Sequence, residues 1–252
     1  MTQTRSSQPV VPPPRSPAAA GPVGARAVVD RLRALAGRGP ATDGVAVFLG
    51  AYLPVAAEAA RPPGAGERPE RRLAATLTLR CAERALTALE TAAADGRGSA
   101  CWRPLLDARH HPGVRPVQFA LAGVNAQLGC DLPLALVDVC RTLRRTPTEL
   151  ADAFERVADR LVLLEERVRE ELTPGQELLR LADPLVHLLG CRSAERARDG
   201  AWLAARALWQ LRQAAGGGGA AGLDAEYAAQ LDRSVGLAGR ILLTPLPVAR
   251  RR

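Results

Sequence analysis

Apolar residues recur along most of this 252-residue chain at spacings of three and four, the period of a helix with one packed and one solvated face. The plainest case runs from 147 to 172. Leu150, Phe154, Val157, Leu161, Leu164 and Val168 make its stripe, and Glu155, Arg156, Asp159, Arg160, Glu166 and Arg169 make a charged back that must meet water. Thr146-Pro147-Thr148-Glu149 opens it with an N-cap, a proline in the first turn and a capping-box glutamate. Three heptads of this kind also suit a coiled coil, although a surface helix of a bundle is the preferred reading.

The same period, with its breakers, divides the rest. Val28, Leu32 and Leu35 predict a short helix that "GRGP" ends, and residues 42 to 60 predict another, capped by Asp43 and kinked or divided at Pro54. "RPPGAGERPERR" reads as a surface loop before a long helix from about 70 to 94, striped by Leu73, Leu77, Cys81, Leu86 and Leu89. Trp102, Leu105 and Leu106 anchor a short helical piece that "HHPGVRP" stops. Thr173-Pro174-Gly175-Gln176 opens a further helix. Another spans about 193 to 214, and a "GGGG" linker at 216 to 219 leads to a last one near 223 to 243. No strand pattern long enough for a sheet and no internal repeat is present. The pattern predicts an all-α, single-domain bundle of about eight helices over residues 23–245. Residues 1–22, rich in Pro, Ser and Ala, are expected to be a disordered leader, and 246–252 a basic tail.

Val117 to Leu128 is apolar all round, as a central helix should be. Gln118 and Asn125, seven apart, share one side of it, and Gln127 lies off that side. Gly129 is expected to end this helix, and Asp131 to cap the next, whose apolar face continues through Leu136 and Cys140. A buried amide needs hydrogen-bond partners, since leaving one unmet costs roughly 1 to 3 kcal/mol. Two arrangements provide them. In the preferred one, Asn125 and Gln118 bond to backbone groups nearby and Asp131 is a cap. In the other they point into a cavity and hold a small polar ligand together with Arg or Asp from another helix.

Composition narrows the function classes. All 34 basic residues are Arg, and the chain has one Asn and one Ile, as GC-rich coding would leave it. The formal charge of +8 is concentrated at the ends. Arg5, Arg15, Arg26, Arg250, Arg251 and Arg252 account for six of it, which leaves +2 for residues 27–249 and argues against a nucleic-acid groove. The five cysteines are scattered, odd in number and without a Cys-x-x-Cys pair, which fits reduced thiols in a cytoplasm. No segment has about 18 uninterrupted apolar residues, so no membrane span is expected. The "MTQTRSSQPVVPPPRSPAAAGPVGAR" start lacks the unbroken apolar stretch of a signal peptide.

The string "RPVQFALAGVNAQLGCDLPLAL" resembles the signature of the domain of unknown function 5995 family, which is common in GC-rich actinobacteria and in which a string close to N-A-H-I-N-x-D-L-P is expected. "DGVAVFLGAYL", "FERVADRLVLLEERV", "ARDGAWLAARALW" and "LDRSVGLAGRILL" extend the resemblance over most of the chain beyond residue 40. Asn125, Asp131, Leu132 and Pro133 match that string. Gln127 stands at its His and Gly129 at its second Asn, so any proton transfer or metal binding by that His is lost here. The family brings no activity to transfer.

The first functional reading is therefore a non-catalytic or catalytically degenerate module that binds a small polar molecule or a partner protein. The second is an enzyme of small-molecule metabolism with Asp131 as acid or base and Asn125 and Arg198 orienting substrate. A third, an assembly role, would use the charged back of helix 147–172. Arg198 and Asp199, one turn before Trp202 on a face shared with Trp209, are candidate charged partners for Asn125. No metal and no cofactor are expected. His110 and His111 sit in a loop without further ligands at a recognisable spacing, His187 reads as a helix-face residue, and nucleophile elbows and phosphate loops are absent.

Overall fold

The computed structural model describes residues 22–64, 66–96, 98–172, 194–215 and 222–245. The leader, the helix opened by Thr173, His187, Cys191, the glycine linker and the basic tail therefore lie outside the described residues, apart from Pro22. The described helices are α1 (Pro22–Ala36), α2 (Gly44–Ala59), α3 (Pro69–Asp95), α4 (Arg103–Ala108), α5 (Pro116–Ala126), α6 (Leu132–Leu143), α7 (Ala151–Leu172), α8 (Ala194–Ala215) and α9 (Leu223–Leu242). A π turn, Gln127–Asp131, fuses α5 and α6 into one rod, so the described residues form eight helical rods and no strand. The chain is all-α, with one apolar helix at its centre.

That central rod organises the rest. Every residue from Val117 to Ala126 is buried, because α5 is packed by α2, α7 and α9 while α6 is packed by α3 and α8. By length and composition Pro116–Leu143 could cross a membrane, but 94% of its most apolar window is buried among its neighbours. The stripe of α7 is buried as its spacing predicts, from Leu150 through Val168. Its charged back is partly engaged. Arg160 bonds Glu58 of α2 at 3.0 Å, and Arg198 of α8 pairs with both Glu155 and Asp159.

The caps follow their local chemistry. Glu149 accepts from both the backbone N–H and the hydroxyl of Thr146, each at 2.8 Å. Asp43 accepts from the amides of Val45 and Ala46, and its second oxygen takes Arg109 at 2.7 Å. Burial pushes the Asp43 carboxyl up, but the Arg109 guanidinium and the two amides outweigh it and hold it below the usual range. Pro54 lies inside α2 without ending it.

One boundary differs from expectation. Gly129 does not end the central helix and Asp131 does not cap α6: its backbone is helical and its side chain makes no capping bond. Pro133 supplies the reason. A proline ring clashes with the carbonyl four residues back and offers that carbonyl no N–H. The chain widens just before it, with Leu132 donating to the carbonyl of Gln127 five residues back, and the rod continues. Gly129 serves packing instead, since a Cβ there would lie 2.9 Å from Val235 of α9.

Gly123 sets the closest approach of α2 to the rod. A Cβ there would fall 2.1 Å from the Phe48 ring, which itself stacks on Tyr52 and tilts against Trp102. Gly123→Ala is expected to destabilise the fold by about 1 to 3 kcal/mol, as overpacking does. Urea unfolding of the variant beside the wild type measures it, and an unchanged midpoint would refute the packing account.

Candidate functional site

The π turn directs Asp131 away from the α6 N-terminus and into the space between α3, α9 and the turn before α4. Asp131 is 4% exposed. Its Oδ2 accepts from the indole N–H of Trp102 at 3.0 Å, and its Oδ1 lies 3.8 Å from Nε of Arg84. That guanidinium nitrogen is buried and, although ion-paired with Asp131, makes no hydrogen bond among the described residues. Burial pushes the Asp131 carboxyl up to about 7, and Arg84 and Trp102 offset only part of that desolvation.

Around this pair opens a cavity of about 660 Å³ lined by α3, the turn before α4, the π turn, α6 and α9. Arg80 and Arg84, four apart on α3, both reach Asp138 of α6, at 3.2 and 3.1 Å. From α9, Asp232 accepts the amides of Ala100 and Cys101 at 2.7 and 2.9 Å. Cys101 and Cys130 lie beside it. The neighbouring Cys130 thiol and burial together push Cys101 well up, so it stands as a neutral thiol.

Only Asp131 among the residues singled out from sequence lines this cavity. Gln118 instead fastens the end of α9, donating to the carbonyls of Leu242 and Thr244 at 2.8 Å each while its Oε1 accepts from the Arg115 amide. Asn125 donates to the carbonyl of Val235 at 3.1 Å. Both amides are thus bonded to backbone, the Asn125 and Gln118 nitrogens across 110 or more residues of chain and the Gln118 oxygen to the nearby Arg115. Arg198 is committed to α7 and Asp199 is exposed, so neither reaches Asn125. Gln127 is 0% exposed and neither of its amide atoms has a hydrogen-bond partner among the described residues. His110 and His111 are exposed, with His110 3.4 Å from Asp43.

The residues missed from sequence are Arg80, Arg84, Cys101, Cys130 and Asp232. A signal existed in two places. Arg80 and Arg84 recur at one turn on α3, and Asp131 and Asp138, the rod's two acids, recur at two turns on it. Nothing local marks Asp232.

Fold and site define an all-α protein with a polar cavity beside a π turn in its central helix. The chain belongs to the domain of unknown function 5995 family, whose model, described as a family of unknown function, matches residues 25–245. Neither a curated protein nor a solved structure matches it.

Two expected outcomes test this geometry. Asn125→Ala should cost about 0.5 to 1.5 kcal/mol by removing its hydrogen bond to the Val235 carbonyl, which keeps its own donor within α9, whereas Gln127→Met should be neutral or stabilising because it removes an unmet amide. Equal losses in chemical denaturation would contradict the assignment. The second concerns pH. Asp131 is harder to ionise folded than unfolded, so its stabilisation is complete below about pH 4 and is lost as pH rises through about 7. With Arg84, Trp102, Asp232, Tyr52 and Cys81 around it, wild type should lose about 4 kcal/mol over that window relative to Asp131→Asn, with chelator present throughout. Parallel curves for the two proteins would overturn it.

Proposed function

We propose that the protein is a small-molecule-binding module whose ligand enters the cavity between α3 and α9. One observation carries this reading. Oδ1 of Asp131 and Nε of Arg84 face each other at 3.8 Å, within ion-pair range but too far for a hydrogen bond. A ligand group that both accepts and donates would satisfy the two at once. A cavity of about 660 Å³ suits a metabolite-sized molecule. Guanidiniums on one wall and the carboxylates of Asp131 and Asp232 on the others favour a zwitterion or polyhydroxy compound over a purely apolar one.

The four described cysteines are unpaired and buried, which supports the cytoplasm as the place of action. A partner protein is the lesser reading, because part of the charged back of α7 is already engaged by α2 and α8.

The test is a thermal-shift screen with amino acids, hydroxy acids and nucleosides. A true ligand at 100 times its Kd should stabilise wild type by about 2.7 kcal/mol and leave Arg84→Met unshifted. The reading fails if no compound of the panel shifts wild type, or if a shift survives unchanged in both Arg84→Met and Asp131→Asn. Consumption of a bound compound would replace binding by catalysis, with Asp131 as its acid or base.

A further inference from the structure

A second cluster sits in the same cavity. Cys101, Cys130 and Asp232 come from the turn before α4, the π turn and α9, and one ligand atom from each lies within 4.8 Å of the other two. Sγ of Cys130 is 3.8 Å from Oδ1 of Asp232. Thiolate and carboxylate on one tetrahedral zinc stand about 3.5 Å apart at ordinary bond lengths, so small side-chain movements close the site.

We propose that Cys101, Cys130 and Asp232 form a three-ligand site for a thiophilic divalent cation of the zinc type, with its fourth position open to the cavity. This deepens the pocket reading and rests on the same cavity. Two sulfurs select against magnesium and calcium, which take oxygen ligands. Three protein ligands with one open position is the arrangement of zinc centres that meet a substrate, while structural zinc sites are closed by four. Both sulfurs are buried yet line the cavity, so the cation's open side faces the place where a ligand would lie.

The surroundings hold the carboxylate ready. The Ala100 and Cys101 amides fix both oxygens of Asp232, as outer-shell donors orient metal ligands. Gly236, one turn further along α9, makes that reach possible, since a Cβ there would stand 2.2 Å from the Ala100 carbonyl oxygen. On binding, each thiol releases its proton to solvent as its sulfur bonds the cation. Two thiolates, one carboxylate and a divalent ion leave a single negative charge, in a cavity that Arg80 and Arg84 also line. Sequence spacing hid the set, because its members are 29 and 102 residues apart.

The experiment uses the full chain, reduced and stripped of metal, titrated with Zn²⁺ against a chromophoric chelator and separately with Co²⁺ as an optical probe. One equivalent of Zn²⁺ should bind, and Co²⁺ should show a sulfur-to-metal charge-transfer band. Cys101→Ser and Cys130→Ser should each weaken zinc by more than the about 100-fold that outer-shell losses produce. Absence of the charge-transfer band in wild type overturns the proposal even if the serine variants fail to fold. So does stoichiometric zinc retained by the folded double-serine variant. Either failure leaves the Arg84→Met ligand test standing, and failure of that screen leaves the zinc titration standing.

Discussion

Within a folded protein, a helix that is apolar all round along most of its length is stable only where neighbouring elements cover it. The rod from Pro116 to Leu143 imposes that requirement on the molecule, and α2, α3, α7, α8 and α9 are the covering it obtains. The same requirement disciplines the rod's polar side chains, which must find partners inside the protein. Gln118 and Asn125 find them on the backbone of α9, and Asp131 finds Trp102. Gln127 finds none among the described residues, a local cost that the surrounding packing outweighs.

The π turn converts this scaffold into a site. An unbroken α-helix would present Asp131 on a different bearing, and a true helix stop would leave it capping α6. Widening by one residue ahead of Pro133 does neither, and so delivers a carboxylate into a cavity that α3 and α9 enclose. Such widened turns recur at functional sites because they re-aim one residue without interrupting the rod.

What could be read from the sequence follows the range of the forces involved. The stripe of α7, the Asp43 cap and the limits of α8 and α9 depend on neighbours a turn or two away, and their expected and observed bounds differ by at most a few residues. Gly129 and Asp131 were misjudged because short-range rules, glycine as a stop and aspartate as a cap, give way here to Val235 packing and to the constraint set by Pro133. Arg198 was paired with the wrong helix for a related reason. Its acidic partners, Glu155 and Asp159, lie on α7. Arg84 and Asp232 meet Asp131 only through tertiary packing, and no spacing along the chain encodes that meeting.

The tie between Gln118 and the carbonyls of Leu242 and Thr244 has a further meaning for a chain made from its N-terminus onward. The helix that closes the cavity, supplies Asp232 and covers the rod's polar side is the last described one to be synthesised. Until it has cleared the ribosome, the longest apolar helix among the described residues has one flank bare. The nascent chain is therefore vulnerable to aggregation until that helix has emerged, and the cavity exists only from that point on.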